Sequence, residues 1–142
     1  MELVKRKVNE EESLEILTAF DSMFLPNLST SVDLPEYSKK LAQNANWILC
    51  SDSGKLVGYI AYYENRDKAF DYITSICVLN ECKGKGIASR MLDYLIESDK
   101  EVVGNIQLLC RKNNENALRY YHKHGFVEVE DLFDKYLLKK VL

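Results

Sequence analysis

"ECKGKGIASRML", residues 81–92, sets two lysines and two glycines directly before a helical apolar pattern of Ile87, Ala88, Met91, Leu92 and, just beyond it, Leu95. It follows a strand-like run, "KAFDYITSICV" at 68–78, so the stretch reads as a glycine turn between a strand and a helix. Glycines there let backbone N–H groups approach an anion closely, and the helix N-terminus adds a favourable dipole. A phosphate is the natural guest; plain helix capping is the alternative that the turn alone leaves open.

Two nucleotide-binding patterns fail at this turn. A P-loop requires G-x-x-x-x-G-K followed by Ser or Thr, which is absent. A dinucleotide fingerprint needs a third glycine where Ser89 stands, and an acid ending the next strand, which "NIQLLC" (105–110) lacks. The strands leading to the turn, "NWILCS" (46–51), "KLVGYIAYYE" (55–64) and 68–78, are joined by "DSG" and "NRD". Such short links suit antiparallel hairpins, not helical crossovers.

Further out, Leu3 to Val8 reads as a first strand and Asn9 to Phe24 as a helix with acids in its first turn. "FLPNLSTSVDLP" (24–35) breaks that pattern with two prolines, and Tyr37, Leu41 and Ala45 give a short second helix ending before Asn46. After the 105–110 strand, Asn114 to His124 is a further helix, and "FVEVEDLF" and "KYLLKKV" close the chain as two strands. The order β-α-α-β-β-β-α-β-α-β-β predicts an α+β fold (a mixed, mostly antiparallel sheet with helices on both faces). With no repeat, linker or low-complexity tract, residues 1–142 read as a single domain.

The chain has 46% apolar and 29% charged residues, enough for a core without disulfides or metals. A net charge of −3 argues against a nucleic-acid partner. The opening "MELVKRKVNEEE" has no apolar signal region, and no apolar run approaches the roughly 18 residues of a membrane span. A cytoplasmic monomer or homodimer away from membranes is the expectation. The four cysteines form no C-x-x-C pair and lie far in sequence from His122 and His124, so no metal is expected. Cys50, Cys77 and Cys110 sit in strand-like runs as small core residues.

Lys83-Gly84-Lys85-Gly86-Ile87-Ala88 resembles the Q/R-x-x-G-x-G/A pyrophosphate loop of the GCN5-related N-acetyltransferases. Lysine replaces the usual Gln or Arg, which removes a planar multi-donor side chain. Downstream, "NENALRYYHKHGF" is similar to the family's N-x-x-A-x-x-x-Y-x-x-x-G-F segment through Asn114, Ala117, Tyr121, Gly125 and Phe126. The resemblance covers nearly the whole chain. It implies an acetyl-CoA-dependent N-acetyltransferase acting on an amine-bearing small molecule. A catalytically weak acyl-CoA-binding module and a protein or peptide acetyltransferase are the competing readings.

By the same resemblance, backbone at Ile76, Cys77 and Val78 would hold the pantetheine arm, on a strand that splays from its neighbour. Backbone from Lys83 through Gly84, Lys85, Gly86, Ile87 and Ala88 to Ser89 would wrap the pyrophosphate. Asn114, Ala117 and Tyr121 share one helix face. Asn114 is a helix cap by position, and the resemblance adds a coenzyme contact. Tyr121 matches the tyrosine that protonates the leaving thiolate, a role suited to a phenol of reference pKa about 10. Tyr120 points to another face. Lys123 corresponds to a 3′-phosphate contact, although cations at a helix C-terminus are favourable in any case.

The acceptor pocket falls on the first two helices and their link, with Phe24, Asp33 and Tyr37, and with Tyr59, Tyr62 and Tyr63 on the hairpin. Ser29, Thr30 and Ser31 add hydroxyls to the link. At the position where some relatives carry a glutamate base stands Tyr72, with Asp71 on the opposite strand face. This leaves proton removal to a water ordered by Tyr72 or Thr74. With no Lys or Arg between Phe24 and Tyr37, the pocket suits a neutral or cationic acceptor, such as an amino sugar or a polyamine-like compound.

Overall fold

The computed structural model describes residues 1–142. Its strands are β1 (Glu2–Arg6), β2 (Asn46–Asp52), β3 (Lys55–Asn65), β4 (Phe70–Val78), β5 (Asn105–Arg111), β6 (Val127–Asp131) and β7 (Lys135–Val141). Its helices are α1 (Glu10–Phe20), α2 (Leu34–Asn44), α3 (Ile87–Asp99) and α4 (Glu115–Lys123), and three short 3-10 turns fill the connections. The element order is the one read from the sequence. The strands form one sheet in the order β1-β2-β3-β4-β5-β7-β6, antiparallel throughout except between β4 and β5.

Boundaries moved where caps and turns intervene. β1 ends before Val8 because Asn9 caps α1, accepting from the Glu12 N–H. α1 stops at Phe20, not Phe24, and tightens into a 3-10 turn. α2 starts before Tyr37, at Leu34, because Asp33 caps it and Pro35 sits in its first turn, where a missing N–H costs nothing. β4 starts at Phe70, not Lys68, after a turn with Ala69 in the left-handed region. β6 ends at Asp131, short of Phe133, whose own backbone is left-handed at the hairpin tip.

α1 and α2 pack together on one face of the sheet, where Phe20 meets Tyr59 edge-on at 5.1 Å between centroids. α3 crosses β2, β3 and β4 on the other face. Gly58 marks the crossing: a Cβ there would lie 3.1 Å from Met91 Cε and 3.2 Å from Ile87 Cγ2. Trp47, Ile48, Ile60, Leu17, Leu41, Met91 and Leu95 are fully buried between the layers, each large side chain contributing about 1.5–3 kcal/mol. Cys50, Cys77 and Cys110 are buried, as expected, and unbridged. No helix is long and apolar enough to cross a membrane.

The α3 face also buries charge. Asp71 on β4 and Asp99 at the end of α3 are 0% and 1% exposed. Asp99 Oδ1 accepts from Lys5 Nζ at 2.9 Å and from Ser98 Oγ at 2.8 Å. Glu64, opposite Asp71 in the sheet, pairs with Arg66 at 2.5 Å. The hydroxyl of Tyr62 is buried nearby without a partner. Both Asp71 oxygens and Asp99 Oδ2 also lack a partner, so a proton retained by Asp71 supplies the hydrogen bond between the carboxyls. Burial first, and then Asp99, push the Asp71 carboxyl up to about 8. Burial opposes ionisation of Asp99 too, but hydrogen bonds from Asp71, Lys5 and Ser98 outweigh it and hold that carboxyl below its usual value.

The stability that follows has a definite sign. An unfolded Asp titrates near 3.9, so the raised Asp71 contributes fully below about pH 4 and the contribution is lost as pH rises toward 8. Asp71→Asn keeps a donor for Asp99 and cannot ionise. Thermal melts are expected to show the variant at least about 3 °C more stable than the parent at pH 8, with the difference shrinking by pH 5.

Candidate active site

β4 and β5 part company at Ile73. Their parallel pairing runs from Phe70–Asn105 to Ile73–Leu108 and ends there. On the other edge of β4, Ser75 pairs with Ala61 and Ile73 with Tyr62, which leaves Thr74 as the extra residue of a bulge. A bulge bends and twists its strand, so the gap and the bulge share one cause. Beyond it, Ile76, Cys77 and Val78 keep partners on β3 and have none on β5. The Leu79 N–H donates to the Val57 carbonyl at 2.9 Å. With the strand's period of two, the backbone of Cys77 therefore turns to β3, while Ile76 and Val78 direct their N–H and C=O groups into the gap.

The gap leads to the glycine turn. After a 3-10 turn at Asn80–Cys82, Gly84 and Gly86 adopt left-handed backbones (φ +82° and +77°), with open space on the side where a Cβ would stand. Gly86 is the N-cap of α3 and supplies no side-chain acceptor to its first turn. Lys83 and Lys85 are exposed around it, whereas Ile87 is buried and anchors the helix. An open cradle of backbone donors with two lysines suits a phosphorylated ligand. Ser89 ties the cradle to α4: its Oγ lies 2.9 Å from the Tyr120 hydroxyl and 3.4 Å from His124 Nε2. Tyr120 thus has a structural partner on a different side from Tyr121.

Tyr121 on α4 is within electrostatic reach of Cys110 on β5 and Cys77 on β4, the two strands that bound the gap. Its ring packs edge-on to Phe126 at 5.4 Å, and burial raises its pKa, keeping the phenol protonated through neutral pH. Burial likewise pushes the Cys77 thiol up to about 11. Asn114 caps α4 by accepting from the Ala117 N–H, as its position suggested. Lys123 is exposed in the last turn of α4, where Lys140 already serves the terminal carbonyl of His124 at 2.8 Å.

On the α1/α2 side of the gap the fold gathers hydroxyls. The Tyr37 and Thr74 hydroxyls are 2.7 Å apart, and Tyr63 stands opposite Tyr72 in the sheet. Burial pushes the Tyr37 phenol up to about 12 and raises Tyr63 and Tyr72. Phe24 is half-buried against the core nearby in sequence. Asp33 is spent on the Glu36 N–H as the α2 cap, and Ser29 on Asp21. Two hairpin tyrosines do not join the pocket: Tyr59 is buried with its hydroxyl on Ser75 at 2.8 Å, and Tyr62 faces the acid cluster under α3. The link carries no cation, but α2 does, because Lys40 Nζ lies 5.8 Å from the centroid of the Tyr63 ring. Its position three residues after Tyr37 places it on the same helix face, the signal that could have found it.

The sequence model of the acetyltransferase (GNAT) family matches residues 14–126. An acetyltransferase of the GNAT family from Streptococcus pneumoniae superposes with a TM-score of 0.69 at 21% identity, covering 99% of each chain. The PaiA N-acetyltransferase from Thermoplasma acidophilum, solved in complex with coenzyme A, gives 0.77 at 13% identity over 100% of both chains. Ribosomal-protein-alanine N-acetyltransferase from Brucella melitensis gives 0.72 at 21% identity, over 98% of this chain and 99% of that one. At these identities the likeness is one of fold.

The Tyr120–Ser89 bond joins the two helices that frame the gap. Tyr120→Phe is expected to cost about 1 kcal/mol, read as a fall of about 3 °C in Tm by calorimetry.

Proposed function

This chain belongs to the acetyltransferase (GNAT) family, and we propose that it moves an acetyl group from acetyl-CoA to a primary amine of a small polar molecule. The observation that carries the reading is a convergence. The gap beyond Ile73 leads to the open glycine cradle before α3, and Tyr121 of α4 is within electrostatic reach of the cysteines on both strands that bound the gap. Backbone N–H groups from Gly84 to Ser89 take the pyrophosphate, with the Lys83 and Lys85 side chains adding charge; the Lys83 N–H itself donates to the Asn80 carbonyl at 3.2 Å. Ile76 and Val78 take the amides of the pantetheine arm, as a missing β5 strand would. The Cys77 backbone is paired with Tyr59 of β3 and so is not free for the arm, which amends the sequence expectation for that residue. Asn114 and Ala117 line the helix face that leads to Tyr121, and Lys123 lies beyond it for the 3′-phosphate.

The thioester then rests beside Tyr121. As the amine attacks the carbonyl carbon, the carbon–sulfur bond breaks and the sulfur takes the phenol proton. The phenol is kept neutral by burial, so it holds that proton at any pH where the amine is free. Tyr72 and Thr74, on the acceptor side, order the water that carries away the proton of the attacking nitrogen.

Two variants test the assignment. Gly86→Glu places a like charge in the cradle and an L-residue on a left-handed backbone; calorimetry is expected to show acetyl-CoA binding lost, and wild-type affinity would overturn the cradle. Tyr121→Phe is expected to leave acetyl-CoA affinity intact while kcat falls about 10²-fold, as for a lost general acid. An unchanged kcat would make the hydroxyl structural.

A further inference from the structure

Resting on the reading above, we infer that Lys40 and the hydroxyls of Tyr37, Tyr63 and Thr74 select a weakly basic primary amine, one substantially neutral near pH 7, over alkyl polyamines. The polar groups gathered on the acceptor side of the gap are phenols and one threonine hydroxyl. Tyr37, Tyr63 and Tyr72 are all held protonated by burial at neutral pH, so none of them strips a proton from an ammonium. No carboxylate hydrogen-bonds to this cluster, and the nearest one on α2, Glu36, is exposed one turn before Lys40. Asp71 and Glu64 lie on the α3 face with Asp99, Lys5 and Arg66, and Asp33 caps α2. The amine must therefore arrive already neutral.

That requirement discriminates strongly. An amine with pKa about 8, as for an α-amino group, is roughly one part in ten neutral at pH 7; one with pKa about 10.4, as for a lysine side chain, is about one part in 2,500. Neighbouring hydroxyl and ring oxygens bring the amine of a 2-amino-2-deoxyhexose into the first range. Lys40 adds a second filter. Its ammonium stands over the Tyr63 ring at the exposed rim, where it repels a multiply charged alkylamine and leaves a neutral one alone. The polyamine half of the sequence expectation is thereby set aside, because the cation missing from the link is supplied by α2.

The step balances without any carboxylate. The neutral nitrogen bonds to the acetyl carbon and the carbon–sulfur bond breaks. Sulfur receives the Tyr121 proton, the new ammonium proton passes to the water ordered by Tyr72 and Thr74, and solvent reprotonates Tyr121.

The test compares a 2-amino-2-deoxyhexose with a diaminoalkane in steady-state assays with acetyl-CoA, from about pH 6 to about pH 10. The aminohexose is expected to lead in kcat/KM by about 10²-fold at pH 7, with the gap closing as the diamine loses its protons. Lys40→Glu is expected to narrow the gap at pH 7 by about fivefold, through a lower KM for the diamine. Equal kcat/KM for both acceptors at pH 7, or a rate limb set by an enzyme group instead of by the acceptor's own pKa, overturns the inference and leaves the acetyltransferase reading standing. An unaltered acceptor ratio in Lys40→Glu removes Lys40 from it. Turnover of neither acceptor, with acetyl-CoA still bound by calorimetry, overturns both readings.

Discussion

One inserted residue organises this protein. Thr74 is the extra residue of the bulge on β4, and β4 leaves β5 at the step before it. Had the two strands stayed paired, the N–H and C=O groups of Ile76 and Val78 would be spent within the sheet. Opened, they form a strand edge inside the molecule, which needs a partner because unpaired backbone groups are expensive when shielded from water. The same bulge brings the Thr74 side chain to the α1/α2 face, where it meets Tyr37, so the gap and its hydroxyl-lined mouth have a common origin.

The rest of the architecture holds that opening in register. α3 begins at the glycine cradle and ends at Asp99, and both ends are tied down. At the start, Ser89 meets Tyr120 of α4; at the end, Asp99 meets Lys5 of β1 and Asp71 of β4. The middle is locked by the close crossing over Gly58. Asp71 lies three residues before the bulged Thr74, so the buried acid pair braces β4 ahead of the bend. Two carboxyls in an apolar layer are tolerated because one keeps its proton and the other has an ammonium and a hydroxyl.

Polarity is divided between the two faces of β4. Asp71, Glu64 and Tyr62 lie under α3, and Tyr72, Thr74 and Tyr63 lie toward α1 and α2. The alternation of a strand makes that separation, and the bulge shifts its phase for the residues beyond it. As a result Asp71 and Glu64, close to the gap in sequence, lie on the opposite sheet face from the hydroxyl cluster.

Local chemistry was legible in the sequence: the element order, the hairpins, the glycine turn before α3, the Asn114 cap and the buried cysteines. Each depends on periodicity, turn residues or capping, which act between neighbours along the chain. The match of both motifs to one family was legible for the same reason, since each motif lies within a single strand–turn–helix or helix–turn stretch. What the sequence could not decide was anything set by pairing across the sheet. The bulge at Thr74 shows in "FDYITSICV" only as two adjacent polar residues, Thr74 and Ser75, between Ile73 and Ile76, a break that a strand end would equally produce. The burial of Asp71 against Asp99, the removal of Tyr59 and Tyr62 from the pocket, the use of Asp33 as a cap and the arrival of Lys40 over Tyr63 all join residues distant in the chain. Only the register of the strands and the packing of the helices determine those meetings, because side chains far apart in sequence exert no force on one another until the fold brings them into contact.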